Sequence, residues 1–254
     1  MRVGTIAINT FRETIRDRIL YSLLMFAILL IGLSYFIAEL SLGDFERVVI
    51  NVGLACVHFF GAIIAIFVGI TLVSKEVEKK TIYAIVSKPV SRFEFLIGKF
   101  SGLAVTIFLT NLAMTAGLLL TTFVQSGNIR IELLFVSLMI YLELLILTAV
   151  AMLFSSFTTT TLSAIFTLSI FFIGHLSPDL KYFGERANTL IGKYLPLGVY
   201  YILPNLENFN FKNVAVYGVH IDAGKISFVF LYFFFYLFLL ILIANFIFSK
   251  RDFK

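Results

Sequence analysis

The residues that could hold a nucleotide phosphate do not complete a nucleotide-binding motif. Gly98 and Lys99 resemble the end of a phosphate-binding loop, but Phe100 follows where Ser or Thr is required. The residue five positions before Gly98 is Phe93 and not glycine. We therefore expect that this chain does not hydrolyse ATP by itself and is not an enzyme.

The histidines and the single cysteine lack the spacing of a metal or protease site. His58, His175 and His220 are scattered along the chain, and neither HExxH nor GxSxG occurs. Cys56 and His58 could suggest a copper site, but residues two apart on a helix point to different faces. The sequence therefore predicts no catalytic residue, no bound metal and no other cofactor held by this chain.

Glu143 is the one acidic residue near the middle of a long apolar run, where an ionised side chain costs about 3 kcal/mol. It could face a central cavity and belong to a translocation path, as a proton-linked or substrate-facing carboxylate. The alternative that we favour is a protonated glutamate hydrogen-bonded to a neighbouring helix. Asn111 and Asn245 are also expected to hydrogen-bond between helices.

Small residues recur at four- and eight-residue spacing in two apolar runs. Such faces let two helix backbones approach closely. The pattern does not show whether the partner helix belongs to the same chain or to a second copy. These residues are Gly53, Gly61, Ala65, Gly69, Gly98 and Gly102.

The composition places these residues in a membrane. Of 254 residues, 60% are hydrophobic, 30 are Phe and only 14% are charged, which is too apolar for a soluble domain of this length. Six runs reach or approach the roughly 20 residues that a helix needs to cross a bilayer. We expect an all-α polytopic protein whose single membrane domain, 1–254, spans the bilayer at 20–38, 52–73, 100–124, 133–154, 157–176 and 226–248.

The distribution of positive charge predicts the orientation. With six spans both termini lie on one side, and that side carries 13 Lys and Arg residues against 7 on the other. Because positive residues accumulate on the cytoplasmic side, we expect both termini in the cytoplasm and the protein in the cytoplasmic (inner) membrane.

Two segments outside the spans have amphipathic patterns. In 1–19 an apolar stripe opposes charged residues, which predicts a helix lying in the headgroup plane. The external loop 177–225 is too long for a simple connection, and apolar residues at helical spacing after Pro178 predict a helix against the outer face. The residues of the first stripe are Ile8, Phe11, Ile15 and Ile19.

The segment 74–99 concentrates charge between two spans. It could act only as a positive anchor that fixes the topology. Apolar residues interleaved with the charges and the break expected at Pro89 predict instead a short helix followed by a second helix that leads into the third span.

The chain resembles the permease subunits of type 2 ATP-binding cassette (ABC) exporters, and most closely the group for multicopper-enzyme or nitrous-oxide-reductase maturation. The resemblance rests on 9–21, 76–81, 87–99 and 203–210, and it extends over the whole chain in motif order and layout. Lys80 departs from the family, which often has glycine before Thr81.

The resemblance implies a type V exporter fold and a half-transporter. Two permease copies would pair, with a homodimer expected, and each would bind a separately encoded ATPase subunit that holds ATP and Mg. The cytoplasmic loop 74–99 would contain the coupling helix, and the external loop would gate the exit. An extracytoplasmic accessory protein is a further partner that the resemblance allows, and no nucleic acid is expected.

The resemblance also assigns roles to residues of this sequence. The ATPase-coupling contact would involve Glu76, Glu78, Lys79, Lys80 and Thr81, with Arg12, Glu13, Arg16 and Asp17 beside it. The family motif comprises Pro89, Val90, Ser91, Arg92, Gly98 and Lys99. The external gate comprises Leu203, Pro204 and Asn205.

An ATPase-independent membrane scaffold or channel-like protein is the alternative function. The presence of a Walker-motif ATPase beside the chain would discriminate between the two. The transported substrate and the choice between a homodimer and a heterodimer are not determined by the sequence.

Overall fold

The computed structural model describes residues 2–41, 43–78, 91–220 and 222–250. This part of the chain contains ten α-helices, one short 3-10 turn and no strand. The protein is therefore all-α. The helices are α1 Arg2–Ile15, α2 Arg18–Glu39, α3 Phe45–Glu78, α4 Arg92–Ser126, α5 Glu132–Ser155, α6 Thr160–His175, α7 Ser177–Arg186, α8 Leu190–Ile202, α9 Lys212–Tyr217 and α10 Ala223–Lys250, and the 3-10 turn is Leu206–Phe209.

Five of the described helices, α2, α3, α4, α5 and α10, are long and apolar enough to cross a membrane. A sixth span arises only if α6 and α7 are taken together, and these two helices meet at an angle of 63°. The polar start of α6 is satisfied locally, because the Thr158 hydroxyl bonds to the Phe154 carbonyl at 2.9 Å and to the Ser163 hydroxyl at 2.6 Å. Hydroxyl groups that bond within their own helix region are tolerated in lipid.

Helix α5 is the most buried of the spanning helices, and α2 and α10 are the least buried. The small residues of α3 explain how α5 and α4 approach it. A Cβ atom on Gly61 would lie 2.7 Å from Leu144 of α5, one on Gly69 would lie 2.9 Å from Ala151 of α5, and one on Gly53 would collide with Leu118 of α4. The small-residue face of α3 therefore packs within the same chain.

Polar side chains add specific links between the spanning helices. Asn111 of α4 donates from its amide to the carbonyl and the hydroxyl of Ser137 on α5, at 3.1 and 2.7 Å. The Thr115 hydroxyl lies 2.6 Å from the same Ser137 hydroxyl. This confirms the interhelical hydrogen bond predicted for Asn111, and the prediction for Asn245 stays open.

The bundle has two distinct ends. One end, called here the loop side, carries the connections 40–44, 127–131 and 176–222, and an ion pair of 2.7 Å between Arg130 and Glu46 joins two of its segments. The other end, called the terminal side, carries α1, the start of α4 and the end of α10. The end of α3 also lies at the terminal side.

A short stretch of the loop side, 203–212, folds back over the ends of the spanning helices and is called here the cap segment. Leu206 and Phe209 are fully buried in it. The Tyr232 hydroxyl of α10 accepts a hydrogen bond from the backbone amide of Asn205 at 2.8 Å. Gly174 of α6 allows close contact, since a Cβ there would lie 2.8 Å from the Pro204 carbonyl oxygen.

Candidate functional site

At the terminal side, α1 lies directly on the start of α4. Gly98 and Gly102 form the contact, and a Cβ on Gly98 would lie 2.8 Å from Ile6. A Cβ on Gly102 would lie only 2.5 Å from the Ala7 carbonyl oxygen and 2.6 Å from Thr10. The two glycines, one turn apart on one face of α4, therefore let α1 pack against its backbone.

The start of α4 is fixed by Ser91 and Arg92. The Ser91 hydroxyl accepts from the Glu94 amide at 3.2 Å, while the Glu94 carboxylate accepts from the Ser91 amide at 2.9 Å, which completes a capping box. Arg92 donates to the carbonyls of Phe248 and Ser249 at 2.9 and 2.6 Å, at the end of α10. A cation at a helix C-terminus is favourable, because the last carbonyls carry partial negative charge.

Lys99 extends this arrangement to α1. Its side chain is 6% exposed, and its ammonium lies 3.8 Å from the Glu13 carboxylate and 5.7 Å from the ring centre of Phe95. The four described residues of the predicted family motif thus join three helices. We call this arrangement of α1, residues 91–102 and the last turn of α10 the terminal-side bracket.

The other predicted docking residues are placed only in part. Arg12 and Arg16 are exposed beside the bracket, and Asp17 caps α2 by accepting from the Ile19 amide at 3.0 Å. Helix α3 continues to Glu78, so its last residues belong to the charged segment 74–99. The side chains of Glu76 and Glu78 lie outside the described part, as do the residues Lys79, Lys80, Thr81, Pro89 and Val90.

A second polar cluster lies inside the bundle, where three helices meet. His58 of α3 places its Nε2 2.7 Å from Oε1 of Glu143 on α5, and His175 of α6 places its Nε2 3.3 Å from the same oxygen. The sequence interpretation that treated the histidines as scattered was wrong for these two. His58 and His175 lie 85 and 32 positions from Glu143 in the sequence. Both reach it because α3 and α6 pack against α5.

The cluster is buried and its geometry is supported by its neighbours. Glu143 is 2% exposed, while the side chains of His58 and His175 are 11% and 24% exposed. The Nδ1 of His175 donates to the Phe171 carbonyl at 2.8 Å. The Phe171 ring contacts both imidazoles, with ring centres at 5.4 and 4.8 Å. The hydrogen-bonded environment predicted for Glu143 is thus present, with partners from two helices.

The cap segment covers this cluster. A small cavity of about 20 Å³, enough for about one water molecule, lies between the cluster and the cap. Its wall includes Phe209, Asn210 and Lys212 from the cap segment. The predicted gate residues lie in the same segment, where Pro204 is buried and Leu203 and Asn205 are half-buried.

The geometry therefore combines a charged bracket at one end of a helical bundle with a buried polar cluster toward the other. Over residues 4–253 the sequence matches the family described as ABC-2 family transporter protein. The chain belongs to this family. A search among curated proteins gave no similar sequence.

As an ABC-2 permease, the chain is a multi-pass membrane protein and a membrane component of an ABC transporter. Membership of the family implies an ABC ATPase partner and a lipid bilayer. The match covers the family as a whole and does not single out the multicopper-enzyme group. The bracket of this permease could be anticipated from its motif, but the buried cluster could not be assigned from residue spacing.

Proposed function

We propose that this ABC-2 permease is the membrane-spanning half of an exporter, driven by a separate ATPase subunit that binds ATP and Mg. The observation that carries the proposal is the terminal-side bracket. It joins the charged α1 to α4 and α10, at the end of the bundle where the charged segment 74–99 connects α3 to α4. A force applied at this end would reach several spanning helices together.

The contacts of the bracket suggest how such a force is transmitted. Arg92 ties the start of α4 to the end of α10, and Lys99 with Gly102 ties α4 to α1. Closure of an ATPase pair against this end would therefore act on α1, α4 and α10 together, and on the end of α3 through Glu76 and Glu78. Movement of these helices at the terminal side would bias the protein between inward- and outward-open states.

The remaining parts of the proposal rest on the family resemblance and on the distribution of positive charge. Two copies of the permease pair as a homodimer, both termini face the cytoplasm of the inner membrane, and the cap segment gates the external exit. An extracytoplasmic accessory protein would bind on the loop side. The proposal leaves the substrate class open, and a scaffold that works without an ATPase is the competing function.

Reversing charge at the end of α3 should weaken the complex with the ATPase. In the double variant Glu76→Lys/Glu78→Lys, we expect the amount of ATPase that co-purifies to fall by about tenfold or more, because repelling charges at an interface cost several kcal/mol. The matched control is Asp179→Lys/Glu185→Lys, which reverses two exposed acids of α7 on the loop side. The control should retain the partner.

Two results would contradict the proposal. Unchanged ATPase recovery with the Glu76→Lys/Glu78→Lys variant would show that docking occurs elsewhere. Transport by the wild-type permease in vesicles without any ATPase would favour the scaffold or channel-like function instead.

Cysteine labelling should establish the orientation. In a Cys56→Ser background, we expect Asn128→Cys, on the exposed connection between α4 and α5, to react with a membrane-impermeant maleimide in intact cells. Lys88→Cys should react only after the cells are permeabilised, since 74–99 carries six of the positive residues assigned to the cytoplasm. Labelling of Lys88→Cys in intact cells would reverse the orientation and remove the docking surface from the cytoplasm.

A further inference from the structure

We propose that His58, Glu143 and His175 form a binding site for one divalent transition-metal ion, located beneath the cap segment. The proposal concerns the permease chain alone and does not depend on ATPase coupling. It departs from the expectation, drawn from residue spacing, that the chain holds no metal.

The donor atoms suit such an ion. Two imidazole nitrogens and one carboxylate oxygen lie within 4.8 Å of one another. In tetrahedral coordination with bonds of about 2.0–2.1 Å, ligand atoms are separated by about 3.3 Å. The 3.3 Å between His175 and Glu143 already has this value. On binding an ion, the 2.7 Å between His58 and Glu143 would have to lengthen, and the longest separation among the donors, within 4.8 Å, would have to shorten. Two imidazoles and one glutamate carboxylate are a known ligand set for Zn²⁺.

The hydrogen bond behind His175 fixes which ring nitrogen faces the cluster. A carbonyl oxygen can only accept, so Nδ1 of His175 carries the proton that bonds to Phe171. The proton between Nε2 and the Glu143 oxygen, which lie 3.3 Å apart, is then the one that a bound metal ion would replace. Metal-binding histidines commonly use their second nitrogen in this way, which orients the ring toward the ion.

The surroundings leave one coordination position open. Three protein ligands with a free fourth position are typical of exchangeable or reactive zinc sites, whereas structural sites are closed by four protein ligands. The cavity of about 20 Å³ beside the cluster holds about one water molecule, which would complete the coordination. His175 is 24% exposed, so the ion could reach the site from the loop side.

Metal uptake by the purified full-length permease tests the proposal directly. After treatment with a chelator and equilibrium dialysis against Zn²⁺ in detergent, we expect about one Zn²⁺ per wild-type chain. His175→Gln and Glu143→Gln should bind at least about tenfold more weakly, because each replaces a strong metal ligand with a neutral amide. The matched control is His220→Gln, which removes an exposed histidine outside the cluster and should bind as the wild type does.

A second measurement needs no variant and so does not depend on variant folding. Addition of Co²⁺ to the wild type should give the visible absorption bands of tetrahedral cobalt, and Zn²⁺ should then abolish them. If the wild type gives no such bands and takes up no Zn²⁺ above background, the cluster is only a hydrogen-bonded network and the proposal is wrong. Equal uptake by the wild type, His175→Gln and Glu143→Gln would also overturn it. Neither readout requires ATP or the ATPase partner, so its failure is distinct from failure of the proposed function.

Discussion

Replacing Gly102 with leucine is expected to separate α1 from α4 and to reduce ATP-dependent transport by about tenfold or more. The Cβ atom alone would lie 2.5 Å from the Ala7 carbonyl oxygen, and this backbone atom can move only if α1 moves. Overpacking of a close contact costs about 1–3 kcal/mol. If α1 moves away, this steric cost falls. The contact between Lys99 and Glu13 at the terminal side is then lost.

Gly117→Leu provides the matched control for this prediction. Gly117 lies on the same helix, and the nearest atom to an added Cβ is Ile28 Cγ2 at 3.9 Å, which is ordinary van der Waals contact. Both variants gain the same helix-forming residue, so their difference reports the α1 contact. Transport and ATPase recovery should be normal in Gly117→Leu. If Gly102→Leu also transported normally, with α1 intact, the bracket would not transmit work from the ATPase.

The fold class and the terminal-side contacts could be predicted from the sequence because their signals are local. Runs of about 20 apolar residues identify spanning helices without any knowledge of their neighbours. Ser91 and Glu94 are three residues apart and complete their capping box within one turn. The spacing of Gly98 and Gly102 predicted a close helix contact, although the identity of α1 as the partner required the structure.

The prediction of one amphipathic helix over 1–19 was too long, because α1 ends at Ile15 and Ile19 of the predicted stripe lies on α2. The predicted stripe also includes Ile8, which is 53% exposed and available to lipid. The face that packs on α4 contains instead Ile6, Ala7 and Thr10. Hydropathy identifies the residues that face lipid. It does not identify the face that contacts α4, because close packing between membrane helices depends on small side chains more than on hydrophobic ones.

The buried cluster, in contrast, depends on contacts between residues that are far apart in the sequence. His58 and Glu143 are 85 positions apart, so no motif spacing could link them, and their contact depends on how α3 packs on α5. A different signal was present in the sequence. Ionisable residues within apolar spans are rarely left unpaired, and Glu143, His58 and His175 all lie in predicted spans or at their ends. Treating these three residues as partners from the start would have predicted the cluster.

The pairing of His58 with Glu143 is expected to show strong coupling in a double-mutant cycle. Glu143→Leu removes the carboxylate that contacts both imidazoles, and His58→Leu removes its closer partner at 2.7 Å. Each single variant should destabilise the protein by about 3 kcal/mol or more, since one half of a buried polar pair is left without its partner. The double variant should cost less than the sum of the two, with a coupling energy of about 1–3 kcal/mol.

The measurement is unfolding in detergent followed by circular dichroism of the helices, because the chain contains no tryptophan. A chelator in every sample removes metal ions, so the measured coupling energy reports the interaction between the two side chains alone. Glu185→Leu and His220→Leu, which change exposed residues of the same types, should alter stability by less than about 0.5 kcal/mol and should be additive. Additive effects of Glu143→Leu and His58→Leu would mean that the two side chains do not stabilise each other, and the contact between α3 and α5 would then not depend on this polar pair.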